Sequence, residues 1–271
     1  MAGHNKWSKI KHRKKIVDGR RSKVWTKCVK AIMVAAKHGG PDPDTNLALR
    51  YAIDEARYAN VPRDTIERGI KKGAGELGSQ NFETVRYEGY GVGGVAIVVD
   101  ALTDNRTRTA GDVRNAFTKH DGNLGASGCV AFLFDSRGQI VATIEAEDAE
   151  TSRRGRASGA PAAPALDADR VLELALEAGA LDVHEPPSPE DPWVILTDPA
   201  DLLKVKHALE KSAGPRLKVE DASVQMIPQN LVAASPEQAR LVMELVEALE
   251  DNDDVQKVYT NLDPASVPAE A

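Results

Sequence analysis

The chain has 271 residues, 42% hydrophobic, 28% charged and 4% aromatic, with a formal net charge of −6. This length exceeds the usual size of one hydrophobic core, so two or three domains are expected. Cys28 and Cys129 are its two cysteines, too few for a disulfide framework or a four-cysteine zinc site. The longest aliphatic run, Val95–Val99, falls far short of the roughly 20 residues that span a membrane. We therefore expect a cytoplasmic protein without a membrane partner. The matrix of an organelle is the alternative compartment.

The charge is concentrated at one end of the chain. Residues 1–40 contain twelve Lys or Arg and one acid, Asp18, which gives +11, so residues 41–271 carry −17, the difference from −6. Clustered Lys and Arg attract polyphosphate through Coulomb forces and counterion release. Residues 1–16 lack a helical apolar stripe and are predicted to be an extended basic arm that contacts nucleic acid.

A small helical domain is predicted after the arm, within residues 1–78. The first helix spans about Asp18–His38 and has a basic face opposite an apolar face. Two more helices are expected at about 45–59 and 62–73. The predicted core comprises Trp25, Ile32, Leu49, Ile53 and Ile66.

Candidate nucleic-acid contacts lie in the arm, on the basic face of the first helix and at the start of a later helix. Cations in a first helical turn oppose the helix dipole, so they either face solvent or accompany a bound anion. The predicted contacts are Lys6, Trp7, Lys9, Lys11, His12, Arg13, Lys14, Lys15, Arg20, Arg21, Lys23, Lys27, Lys30, Arg106 and Arg108. The glycine-rich loop Asp121–Gly128 is either a further contact or a structural turn.

The rest of the chain alternates strand and helix. The first set comprises a strand at 95–102, a helix at 105–119 and a strand at 130–134. The second set comprises a strand at 223–227, a helix from Ser235 onward and a strand at 255–262. This is the ferredoxin-like order, interrupted in its middle. The interruption repeats the order, with strands at 139–144, 181–184, 193–196 and 216–219 and helices at 169–178 and 198–212.

The predicted fold class is α+β, with an N-terminal three-helix domain and basic arm followed by two ferredoxin-like α/β domains, one inserted in the other. The first ferredoxin-like domain is expected at 82–135 plus 222–262 and the inserted one at 136–221. Residues 149–168 are rich in Ala, Gly, Pro and Ser and are predicted to be a disordered loop.

No constellation in the sequence indicates catalysis. Two stretches match G-x-G-x-x-G, at 73–78 and 89–94, but neither follows a strand and opens a helix, as dinucleotide binding requires. The histidines are scattered, and no serine has a glycine elbow or an adjacent base. We expect no cofactor, no metal, no small-molecule substrate and no enzymatic activity.

Several strings resemble the YebC/PmpR family, which includes bacterial proteins described as transcriptional regulators and the mitochondrial translational activator of cytochrome c oxidase. They include MAGHNKWSKIKHRK at the start, then YEGYGVGG, LTDNRTRT, DGNLG, MIPQN and LEDNDDVQKVYTN. The resemblance spans nearly the whole chain and implies a helical domain followed by two ferredoxin-like domains. The 149–168 loop departs from the compact family pattern. The resemblance implies nucleic-acid contacts at the matching basic positions Lys6, Lys9, Lys11, Arg13, Lys14 and Lys15.

Three functions remain open at this point. The family description and the basic helical domain favour a DNA-binding transcriptional regulator acting at promoters. An extended basic arm suits folded RNA and favours a ribosome-associated, rRNA-binding translation factor, which the resemblance connects with difficult sequences such as proline runs. The third helix, Pro62–Lys72, carries mixed charge and few base-reading amides, which also favours RNA. An enzyme or ligand-sensing module has no motif in its support.

Overall fold

A computed structural model describes residues 21–76, 82–144, 166–188 and 191–267. The basic arm and most of the 149–168 loop lie outside the described residues. The helices are α1 (Arg21–Gly39), α2 (Leu47–Tyr58), α3 (Arg63–Gly73), α4 (Arg106–Lys119), α5 (Ala168–Ala178), α6 (Leu202–Ala213) and α7 (Pro236–Glu250). The strands are β1 (Glu83–Tyr90), β2 (Ala96–Thr103), β3 (Asn123–Leu124), β4 (Phe134–Ile144), β5 (Asp182–His184), β6 (Trp193–Thr197), β7 (Leu217–Pro228) and β8 (Val255–Thr260).

The predicted α+β class is confirmed, with an N-terminal helical region and two four-stranded sheets. The chain divides into two compact units. One unit contains the described residues up to Asp135 together with those from Met226 onward, and the other is Ser136–Gln225. No helix among the described residues is long and apolar enough to cross a bilayer.

Helices α1, α2 and α3 form the helical region of the first unit around one small core. Ile32, Leu49 and Ile66 are buried there, as predicted. Trp25 packs at the edge of this core, and its indole N–H donates to the carbonyl of Ala59 at 3.1 Å. Asn46 caps α2 by accepting from the Leu49 amide at 3.1 Å, which satisfies a backbone group that the helix itself leaves unpaired.

The sheet of the first unit has the order β3-β1-β2-β8, with antiparallel neighbours. Strands β2 and β3 are joined through α4 and flank β1, which is the split β-α-β arrangement of ferredoxin-like folds. Helices α4 and α7 bury Phe117 and Leu245 against Ile97 of β2. The same sheet also contributes Val98 and Tyr259 to a second cluster with Phe134.

The strands of this unit differ from the prediction in three places. Strand β1 was not predicted, because its sequence ETVRYEGY offers no continuous apolar run and only partial alternation. Residues 131–133, predicted as strand, form a 3₁₀ turn, while the neighbouring amides of Val130 and Ala131 bond to Glu88 rather than to a strand. A turn was predicted where the short strand β3 lies. Nothing in the sequence indicated this strand, because it forms by pairing with the distant β1.

The second unit follows the order β4-α5-β5-β6-α6-β7, with the sheet order β5-β6-β4-β7. Both the order along the chain and the order in the sheet are those of a ferredoxin-like fold. Asp167 caps α5, and Gly179 ends it with a left-handed φ of 100°. The predicted strands at 216–219 and 223–227 are one continuous strand, β7, so the second of them belongs to this sheet and not to the first.

Two glycines provide a matched test of the first unit's packing. A methyl group on Gly89 of β1 would lie 2.5 Å from the Asn123 carbonyl oxygen and 2.7 Å from Phe117, whereas one on Gly111 of α4 would meet nothing within 4 Å. We expect Gly89→Ala to lower the free energy of unfolding by about 1–3 kcal/mol through overpacking. Gly111→Ala should raise it by up to about 1 kcal/mol through helix propensity. Urea unfolding of both variants would measure this, and an unchanged Gly89→Ala midpoint would contradict the packing described.

Candidate nucleic-acid interface

The predicted basic face of α1 lies against an acidic segment, Glu250–Asp254, which begins at the last residue of α7 and is here called the acidic loop. The ammonium nitrogens of three lysines donate to backbone oxygens of this loop. Lys27 donates to Glu250 at 2.5 Å, Lys30 to Asp253 at 2.8 Å, and Lys23 to Asp251 at 3.2 Å. Three of the predicted nucleic-acid contacts therefore bind a neighbouring element of the same unit.

The end of α7 explains why cations gather there. The last carbonyls of a helix lack partners within it and carry the negative end of its dipole. Helix α7 has no basic residue in its last turn and runs directly into the acids of the loop. The lysines of α1 provide the compensating charge. Burial is the main influence on Lys27 and lowers its pKa, while Glu250 and Asp253 act in the opposite direction.

Asp254 is the buried centre of this contact. Its carboxylate accepts hydrogen bonds from Lys30 at 3.0 Å, from the Thr109 hydroxyl at 2.8 Å and from Arg108 at 2.6 Å. Burial alone would raise its pKa, but these donors outweigh burial and lower the pKa to about 2. Arg108 also binds Asp104 at 2.8 Å, so the paired carboxylates raise the pKa of its guanidinium.

The remaining predicted contacts fall into two groups. Arg106 is exposed in the first turn of α4, and its guanidinium makes no hydrogen bond or ion pair with the described residues. Arg21 is the first residue of α1. The others lie outside the described residues: Lys6, Trp7, Lys9, Lys11, His12, Arg13, Lys14, Lys15 and Arg20.

A cleft of about 840 Å³ lies beside this contact, within the first unit. Its wall includes Ser22 and Trp25 of α1, Arg108 and Asp112 of α4, and the acidic loop. The cleft therefore adjoins both the start of α1, where the chain leaves the basic arm, and the first turns of α4.

Sequence reasoning missed a second buried carboxylate, Glu88 of β1. It accepts hydrogen bonds from the backbone amides of Gly128 at 2.8 Å, Val130 at 2.9 Å and Ala131 at 2.8 Å. Burial acts to raise the pKa of Glu88, but the three amides prevail and lower it. The one signal of this site in the sequence was a charged residue inside the string YEGYG. The amides that bind it could not be predicted, because they lie some forty residues further along the chain.

The described residues bring together no group of three His, Cys, Asp or Glu side chains that could hold a metal ion. The second glycine-rich stretch crosses from β1 through a 3₁₀ turn at Val92–Gly94 into β2. Its amides therefore do not open an α-helix as a dinucleotide site requires.

The Asp254 network gives a prediction for stability against pH. A carboxylate whose pKa is depressed by folding stabilises the native state above its unfolded pKa, and this stabilisation is lost as the pH falls towards the folded value of about 2. We expect Asp254→Asn to lower the free energy of unfolding by about 3 kcal/mol at pH 7. The difference from the wild type should shrink as the pH falls from 5 towards 2.

Urea unfolding across that pH range measures the effect, and Asp251→Asn is the matched control. The Asp251 side chain is 51% exposed, so its loss should cost less than about 1 kcal/mol. Equal costs for the two variants, or a pH-independent cost for Asp254→Asn, would contradict the network.

The chain is similar to known proteins over nearly its whole length. Residues 5–76 match the TACO1/YebC protein N-terminal domain, and residues 82–262 match the TACO1/YebC second and third domain. A probable transcriptional regulatory protein of Geobacter sulfurreducens is 46% identical over 97% of this chain and 96% of its own length. One of Natranaerobius thermophilus is 48% identical over the same shares. The crystal structure of a conserved hypothetical protein from Aquifex aeolicus is 42% identical, with a TM-score of 0.75 over 93% of each chain. The resemblance noted from the sequence is confirmed, and the chain belongs to the TACO1/YebC family.

Proposed function

We propose that this protein is a nucleic-acid-binding regulator of gene expression that catalyses no reaction. The observation that carries the proposal is the charge of +11 in residues 1–40 against −17 in the remainder. Such a segment binds polyphosphate, while an acidic remainder limits unspecific association. The names of its relatives, probable transcriptional regulatory proteins, agree with a role in gene expression.

We assign phosphate contact first to the basic arm and its continuation to Arg21. The positive charge of Lys23, Lys27 and Lys30 is already opposed by the acidic loop. To bind phosphate these lysines would have to exchange those partners, so we assign them the role of anchoring α1. Their predicted contact with nucleic acid stays a prediction.

Arg106 extends the assigned surface to α4. An unpaired cation in a first helical turn opposes the helix dipole, and a phosphate bound at that point would reverse this penalty. Arg108, in the same turn, lines the cleft that adjoins the start of α1. We therefore propose Arg106 as a further phosphate contact, on α4.

The arm assignment predicts a change in salt dependence. Replacing Lys11, Arg13, Lys14 and Lys15 together with Gln should weaken nucleic-acid binding and flatten the dependence of log K on log salt concentration. Each lost phosphate contact should reduce the slope by roughly 0.7–0.9. Fluorescence anisotropy at several salt concentrations would measure the slope.

The matched control is the pair Lys204→Gln and Lys211→Gln, which removes exposed positive charge from α6 of the second unit. This control should leave the slope unchanged. A wild-type slope in the arm variant would show that the arm is not the contact surface.

The target is either promoter DNA or ribosomal RNA. Helices α2 and α3 are joined by a short turn, in which Asn60 has a left-handed φ of 57°; a short turn between two helices is also a feature of DNA-binding helix-turn-helix motifs. However, α3 has the sequence RDTIERGIKKG, without Asn or Gln, and its Arg63 pairs with Glu67 at 2.8 Å. This surface suits phosphate contact better than base readout. The observation favours the second of the two candidates, ribosomal RNA.

Crosslinking in living cells followed by sequencing of the bound nucleic acid separates the two targets. Ribosomal RNA reads clustered at a few positions would support a ribosome-associated translation factor. Promoter DNA reads without ribosomal RNA would support a transcriptional regulator and overturn the ribosomal candidate. Recovery of neither above the arm-neutralised control would contradict the proposed function itself.

A further inference from the structure

The segment Gly128–Leu133, here called the Phe132 loop, has its backbone fixed from one side by β1. The buried Glu88 carboxylate accepts hydrogen bonds from three successive parts of the loop, the amides of Gly128, Val130 and Ala131. The Tyr90 hydroxyl donates to the Cys129 carbonyl at 3.2 Å. Hydrogen bonds from amides to a charged carboxylate are among the stronger ones in proteins.

The loop is also held from its far end. The Gln229 amide donates to the Leu133 carbonyl at 2.9 Å, and the Gln229 side chain donates to Asp135 at 3.1 Å. On either side of Phe132, Val130 and Phe134 are buried in the cluster on the sheet. The loop is therefore anchored before and after its tip.

Phe132, at that tip, is 66% exposed, more than any other large hydrophobic side chain of the described residues. Burying such a side chain normally contributes about 1.5–3 kcal/mol. Here Val130 and Phe134 are buried, and the aromatic ring between them is left in solvent on a preorganised backbone. An aromatic group presented in this way contributes nothing to the core and is suited to bind a partner.

The surroundings of Phe132 distinguish between kinds of partner. Gln229 and Asn230 are exposed, and Gln229 is bonded to the residues that follow Phe132. An exposed aromatic ring can stack on the face of an unpaired base, and amide side chains can hydrogen-bond to its edge. A protein hot spot would instead lie within a dry apolar patch.

We propose that Phe132 stacks on one unpaired nucleobase, with the exposed Gln229 and Asn230 as candidates for hydrogen bonds to the edge of that base. This inference rests on the proposed function and specifies its ligand as nucleic acid with an accessible base. Stacking depends little on ionic strength, whereas the phosphate contacts of the arm depend on it strongly. The two contributions are therefore separable by experiment.

The test uses the full chain and a 12-nucleotide oligoadenylate carrying one 2-aminopurine, whose fluorescence is quenched by stacking. Phe132→Ala and Phe132→Leu should weaken binding by roughly 5- to 150-fold, the effect of losing one stacked base. Their salt slopes should equal that of the wild type. Phe132→Trp should keep the affinity, and duplex DNA without unpaired bases should bind the wild type and Phe132→Ala equally.

The matched control is Leu47→Ala, which removes a 50% exposed apolar side chain from α2 and should leave the affinity unchanged. If Phe132→Ala binds the oligonucleotide as the wild type does, the stacking inference is wrong and the proposed function stands. A parallel loss of salt slope in Phe132→Ala would also overturn it, because the variant would then have disturbed the arm. If the wild type binds neither oligonucleotide nor duplex, both proposals fail.

Discussion

The contact between the lysines of α1 and the end of α7 is the interaction on which the first unit depends. Helix α7 ends in acids, at the point where its own dipole is already negative. Lys27 and Lys30 bring positive charge to these carbonyls from the helical region. The buried Asp254 joins the same contact to Arg108 of α4. One charge-compensated cluster therefore fixes the helical region, α4 and α7 with respect to one another.

This cluster changes how the basic N-terminal segment is understood. From composition alone, all twelve of its cations are equivalent candidates for phosphate. Among the described residues, Lys23, Lys27 and Lys30 are bonded to partners within the unit. Their charge serves folding, and the acids that oppose them account for part of the negative charge of the remainder. Under the proposed function, the arm binds nucleic acid, while the lysines of α1 that follow it stabilise the unit.

The predictable parts of the fold are those with local signals. Helices α1 to α3 and the order of the second unit follow from apolar periodicity, caps and glycine stops, as at Asp167 and Gly179. Strand β1 lacked such a signal, because its residues are specified by pairing with β2 and β3. The lysine partners could not be predicted either, since Lys30 and Asp254 lie 224 positions apart. A basic helical face looks the same in sequence whether it meets phosphate or carboxylate.

Glu88 and Asp254 show a common use of acidic residues in this unit. Each is buried, each accepts several hydrogen bonds, and each has a lowered pKa. Each therefore remains charged at neutral pH and acts as a fixed anion around which donors gather. Asp254 positions the helix that follows the arm, and Glu88 positions the loop that carries Phe132. The helix that follows the arm and the exposed aromatic ring of Phe132 are thus both positioned by buried carboxylates.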